Sequence, residues 1–174
     1  MADTGDILTL PGDTSFAIVE SAADSGGRRV EFEITMPAGA PGPPRHFHPR
    51  QEEGWRVVSG ELSVYVDPDW RVLREGEALS IPPGTVHTLR NRSHGVVRFR
   101  DVHTPALDFQ EYIETLHRLA AAGRISGRMT PSTLLHGAMV LRRHRTTQLT
   151  AGAAQRAGES VLSVIGRALG YRVD

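Results

Sequence analysis

The chain has no cysteine and no lysine. The first absence excludes disulfides, thiolate nucleophiles and sulfur ligands, so any bound metal must take nitrogen and oxygen donors. The second excludes Schiff-base chemistry on the protein and a lysine general base, because a guanidinium that never loses its proton cannot replace an amine that must. All 20 basic residues are arginine, and 20 acidic residues balance them. Nothing in that balance calls for nucleic acid, a polyanion or an anionic membrane. A G-x-S-x-G elbow, a P-loop and a dinucleotide fingerprint are all missing, which leaves serine hydrolase, NTPase and NAD-dependent readings without support. The start, MADTGDILTL, lacks the basic segment and continuous apolar core of a secretory leader. No apolar run approaches the roughly 18 residues of a spanning helix. A soluble cytoplasmic protein is expected.

The 174 residues suffice to bury one core. Residues 7–10 and 15–20 read as strands around the turn Pro11-Gly12-Asp13, and Val30, Phe32, Ile34 and Met36 alternate with polar residues as a half-buried strand does. After a loop over 37–44 with four prolines, short segments recur at 55–58, 62–66, 70–74, 78–81 and 96–102. Turn signals separate them every eight to ten residues or so, the rhythm of an antiparallel sandwich or barrel. From Leu107 the period changes to that of helices. Asp108 is the expected N-cap of a first helix that Gly123 closes, Thr130-Pro131 opens a second, and a third spans about Ala154 to Leu169. Arg142, Arg143 and Arg145 are read as complementing the second helix's C-terminus. The expected organisation is a barrel over 1–105 and a helical extension over 106–174 that packs on the barrel or on a second subunit. Barrel edges and an apolar third helix predict a homodimer.

Chemistry concentrates in two stretches. His46 and His48 stand two apart and share one face of an extended segment, while His87 follows a Pro-Pro-Gly turn. Around them His46, His48, Glu53 and Gly60 satisfy His-x-His, four residues, Glu, six residues, Gly. Gly76, Pro82, Gly84, His87 and Asn91 satisfy Gly, five residues, Pro-x-Gly, two residues, His, three residues, Asn. This doubled pattern resembles the cupin family over roughly residues 29–105. One departure is visible: Ala40 stands where the family has a glycine. The resemblance implies an all-β, jelly-roll antiparallel barrel with about three C-terminal α-helices appended here. It also implies that His46, His48, Glu53 and His87 bind one divalent metal.

Three imidazoles and a carboxylate suit Fe, Mn, Ni, Co, Cu or Zn rather than Ca or Mg, and leave positions open for a substrate. Glu52 competes with Glu53, but the spacing to Gly60 favours Glu53, leaving Glu52 to solvent or to a supporting place. Trp55 shares the parity of Glu53 and is core or pocket wall. Tyr65 is a pocket donor or faces outward, and His103 is a proton shuttle near the mouth or a surface residue. Arg45 and Gln51 flank the ligands and are read as rim or anion contacts. His94, His117, His136 and His144 have no motif around them and are read as structural or solvent-facing. The leading expectation is a metal-dependent enzyme on a small molecule, a dioxygenase in which Glu53 can act as a base. A non-oxidative cyclase or isomerase and a non-catalytic binding cupin are the alternatives.

Overall fold

The computed structural model describes residues 1–173, which form eleven strands and three helices. The hairpin of β1 (Ile7–Leu10) and β2 (Thr14–Glu20) turns through left-handed backbone at Gly12 and Asp13. The alternating segment becomes β3 (Val30–Met36), whose Val30, Phe32, Ile34 and Met36 are buried. The proline-rich loop then delivers β4 (His46–Phe47). The strands β5 (Glu52–Ser59), β6 (Glu61–Val66), β7 (Asp69–Arg74), β8 (Ala78–Ile81), β9 (His87–Arg90) and β10 (Val97–Thr104) complete the expected rhythm.

All pairings are antiparallel. One sheet has the order β1-β2-β3-β10-β5-β8, the other β4-β9-β6-β7 with one further strand at the edge beside β4. The inward residues of both sheets, among them Phe32, Trp55, Val57, Leu62, Val64 and Phe99, are at most 1% exposed and make one core. The molecule is a jelly-roll barrel with C-terminal helices.

Two residues of the spaced motifs hold turns. Gly60 joins β5 to β6 at φ 85°, and a Cβ there would lie 2.7 Å from the carbonyl oxygen of Val96. Asn91 is buried, with its amide nitrogen 3.1 Å from the Met36 carbonyl, 2.9 Å from that of Pro37 and 2.7 Å from that of Gly95. It thereby ties the end of β3 to the turn before β10.

The helices are α1 (Phe109–Ala121), α2 (Pro131–Arg143) and α3 (Ala153–Ala168). Thr130 caps α2 by accepting from the Thr133 amide, and Gly123 follows α1 at φ 66°. Asp108 occupies the N-cap position of α1 but makes no side-chain cap bond. Its carboxylate instead takes bonds from His144 Nδ1 (2.8 Å) and Thr146 Oγ1 (2.9 Å), tying the start of α1 to the end of α2. The helical tail also contains β11 (Leu149–Thr150), which pairs with β4 and was not foreseen. Two residues are too short to show a period. No helix among the described residues is long and apolar enough to cross a membrane.

Two of the three motif glycines at positive φ, Gly60 and Gly76, differ in what surrounds them. A Cβ at Gly76 (φ 83°) meets nothing within 4 Å, so Gly76→Ala should cost only the strain of the conformation, about 1 kcal/mol. Gly60→Ala adds a clash with a backbone carbonyl that cannot rotate away and should lower the melting temperature by roughly 5 °C or more, about twice the effect of Gly76→Ala. Equal melting temperatures for the two variants would refute this account.

Candidate metal centre

The barrel brings His46, His48, Glu53 and His87 together so that one ligand atom from each lies within 4.8 Å of the others, and all four residues are buried. The two sheets share the work. His46 on β4 stands directly opposite His87 on β9, His48 follows β4, and Glu53 comes from β5 in the facing sheet.

Each imidazole is oriented by a backbone carbonyl. His46 Nδ1 donates to Pro44 O (2.8 Å), His48 Nδ1 to Thr147 O (2.5 Å) and His87 Nδ1 to Thr85 O (2.7 Å). A carbonyl can only accept, so each Nδ1 carries the proton and each Nε2 is left with a bare lone pair. Glu53 Oε2 lies 2.7 Å from His87 Nε2 and 3.3 Å from His48 Nε2, yet none of these three atoms has a hydrogen-bond partner of good geometry. Buried acceptors crowded together in this way require a cation between them. The donor set therefore fits a divalent transition metal.

The electrostatics agree. Burial, helped by His87 and His48, pushes His46 down to about 3, which keeps it neutral with its lone pair available. Burial opposes the charge of Glu53, but the imidazoles of His87 and His103 and its contacts with His48 and His87 outweigh it and hold the carboxyl well below its usual range. Burial likewise opposes a His87 cation, and the Glu53 carboxylate beside it reverses the sign and raises that imidazole.

Glu53 is held from its other side. Its Oε1 accepts from Trp55 Nε1 at 2.8 Å and lies 3.7 Å from His103 Nε2, leaving Oε2 for the centre. Trp55 is 1% exposed and stands edge-on to His87, so it is core and site wall together. His103 is fully buried, because β10 runs on to Thr104 and places it opposite Glu53. The reading of a surface residue after the strand is corrected by those two extra residues. Its ring stacks on Phe109 of α1, and Nε2 lies 3.3 Å from Asp101 Oδ2. Glu52 has the opposite parity, is exposed and accepts from Ser80 Oγ at 2.8 Å, which places it away from the cluster. Tyr65 also lies outside. Its hydroxyl donates to Asp67 (2.6 Å) and its ring is covered by Arg45 (3.8 Å) and Trp70, so its burial comes from those neighbours on the outer face. Gln51 is buried and donates to the carbonyls of Pro105 and Ala106, which makes it a strut and not an anion contact. His136 and His144 are buried and His94 is exposed.

Asp101 was not singled out from the sequence. It sits on β10 between Phe99 and His103 with the same inward parity, and a polar residue at a buried strand position is the signal that could have found it. Beside the cluster lies a cavity of about 320 Å³ lined by Glu53, His46, Trp55 and Asp101 together with apolar side chains of the barrel and α1.

Residues 32–103 match the family described as "Cupin domain". That match lies wholly within the barrel. Two curated relatives share stretches of it. The chain is 37% identical over 65 residues to quercetin 2,3-dioxygenase of Bacillus subtilis, covering 36% of this chain and 19% of that protein. It is 37% identical over 68 residues to mannose-1-phosphate guanylyltransferase of Escherichia coli, covering 39% and 14%. Less than a fifth of either relative is thus spanned. Among solved structures, KdgF from Halomonas sp. superposes with a TM-score of 0.54 at 22% identity over 60% of this chain and 90% of that one, a likeness of fold.

Metal analysis of protein prepared without chelators should find about one transition-metal ion per chain. His46→Ala, His48→Ala, Glu53→Ala and His87→Ala should each lose most of it, whereas Glu52→Ala and Tyr65→Phe should retain it. Full metal in Glu53→Ala together with loss in Glu52→Ala would overturn the assignment of the carboxylate.

Proposed function

We propose that this protein is a divalent-metal-dependent enzyme acting on a small organic molecule by dioxygenase chemistry. The observation that carries the reading is a buried four-donor cluster, its lone pairs already aimed inward, at the wall of a largely apolar cavity. His46, His48, Glu53 and His87 would hold one ion of Fe, Mn, Ni, Co, Cu or Zn, with positions left over for substrate. When bound, such an ion supplies Lewis-acid activation and, where it is redox-active, electron exchange with dioxygen.

The chain's own residues do the rest. Trp55 and His103 orient Glu53, whose Oε2 can accept a proton from a substrate hydroxyl when it loosens from the ion. The apolar walls exclude water and so strengthen every charge interaction at the centre. Oxygen insertion into an electron-rich substrate draws its electrons from that substrate, in keeping with a sequence that has no dinucleotide fingerprint. The local likeness to quercetin 2,3-dioxygenase supports the reaction class. The guanylyltransferase match is of similar extent, so barrel likeness by itself does not select a chemistry.

Oxygen uptake by protein loaded with each metal in turn, against flavonol, diketone and catechol substrates, tests the reading. Uptake is expected with at least one metal and should fall to background in His87→Ala. Product formed without oxygen consumption would assign the site to a non-oxidative cyclase or isomerase, and no turnover with any metal to a binding cupin.

We also propose that a second copy covers α3, since Val161 (58%), Val164 (58%) and Leu169 (65%) leave an apolar face in water. Light scattering should then report twice the chain mass; a monomer would refute the dimer.

A further inference from the structure

The cavity beside the metal cluster has an electrostatic character that the barrel fold does not dictate. Its walls come from Ile34, Met36 and Phe99 of the barrel and from Phe109, Ile113 and Leu116 of α1, and the β1–β2 turn from Leu10 to Gly12 contributes to its rim. At about 320 Å³ it lies at the small end of the range for ligand pockets, roughly 300–1,000 Å³. Of the 20 arginines none lines it, and the chain has no lysine to do so. The charged side chains that do line it are Glu53 and Asp101, both carboxylates and both buried. A divalent ion on the cluster would be met by these two acids. In the metal-free protein a carboxylate or phosphate on a ligand would meet these two acids and no cationic side chain, and an unpaired charge in an apolar pocket is strongly disfavoured.

Besides the metal cluster, the lining holds polar groups on Thr14, Asp101, Tyr112 and Gln148, of which Asp101 and Tyr112 set the ligand's pattern. Asp101 Oδ1 is buried and has no hydrogen-bond partner, while Oδ2 faces His103 at 3.3 Å. The Tyr112 hydroxyl accepts from Gln148 Nε2 at 3.3 Å, which leaves its own proton to donate. The first asks a ligand for a donor, the second for an acceptor.

We propose that the cavity takes an uncharged, mainly apolar molecule of one or two rings that presents a hydroxyl near Asp101 and the metal cluster, and that it discriminates against carboxylates and phosphates of the same size. Resting on the metal-enzyme reading for its place as a substrate site, the selectivity itself belongs to the cavity walls and is measurable as binding without turnover.

Titration of metal-free and zinc-loaded protein with naphthol, naphthoate and naphthyl phosphate, followed by calorimetry, provides the test. In the metal-free form naphthol should bind about tenfold or more tightly than either anion, because each anion loses its hydration beside two buried carboxylates without gaining a cationic partner. Leu116→Arg, a half-buried position on α1 at the cavity wall, should narrow or reverse the ratio of naphthol to naphthoate while metal content stays at the wild-type level. Naphthoate or the phosphate binding as tightly as naphthol to the metal-free wild-type protein would overturn the proposal, as would a metal-loaded protein that binds none of the three. A preference for naphthol in a protein that consumes no oxygen would uphold the selectivity while removing the dioxygenase reading.

Discussion

Three imidazole lone pairs and one carboxylate oxygen face each other in a buried space, and most of the local structure exists to hold them there. Left alone, such a set would rotate its rings to find donors or admit water. The carbonyls of Pro44, Thr85 and Thr147 prevent this by accepting from Nδ1 of each histidine. They fix both tautomer and ring plane, and outer partners of this kind are what give a metal site its affinity. The carboxylate is treated similarly, with the Trp55 indole on one oxygen so that the other is turned to the centre.

The C-terminal segment enters this arrangement directly. β11 pairs with β4, which carries His46, and Thr147 just before it supplies the carbonyl for His48. Thr147 also bonds through its hydroxyl to Gln51, which in turn reaches the carbonyls of Pro105 and Ala106 at the end of the barrel. On the other side α1 lays Phe109 against His103 and sends Tyr112, Ile113 and Leu116 to the cavity. The same segment that orients a candidate ligand also closes the space beside it, so the chemistry of the cavity is partly a property of the tail.

The barrel was legible because its strands are half-buried and their alternation is strong, as at Val30 to Met36. The cluster was legible because its four donors stand in two short stretches at fixed spacings, accompanied by Gly60, Gly76, Gly84 and Asn91. His103 was placed on a loop because Thr104-Pro105 suggested an earlier end to the strand than the one observed at Thr104. Asp101 shares the parity of Val97 and Phe99 along β10, which marks it as inward, and the pairing with β5 places it beside Trp55 at the site. Tyr65 and Glu52 carry suitable chemistry, but the side-chain alternation of their strands turns them to the outside.

By itself, then, the sequence determined the donor types, the candidate ligands and the strand periodicity, since these depend on residues that are neighbours along the chain. Which residues surround the site was decided by tertiary structure. Composition reports 20 arginines and is silent on where they lie; the pairing of the sheets and the docking of α1 leave all of them out of the cavity and bring Asp101, Tyr112 and Gln148 in. Those contacts join positions up to a hundred residues apart, such as His48 and Thr147, and no local pattern records a meeting that only the closed barrel brings about.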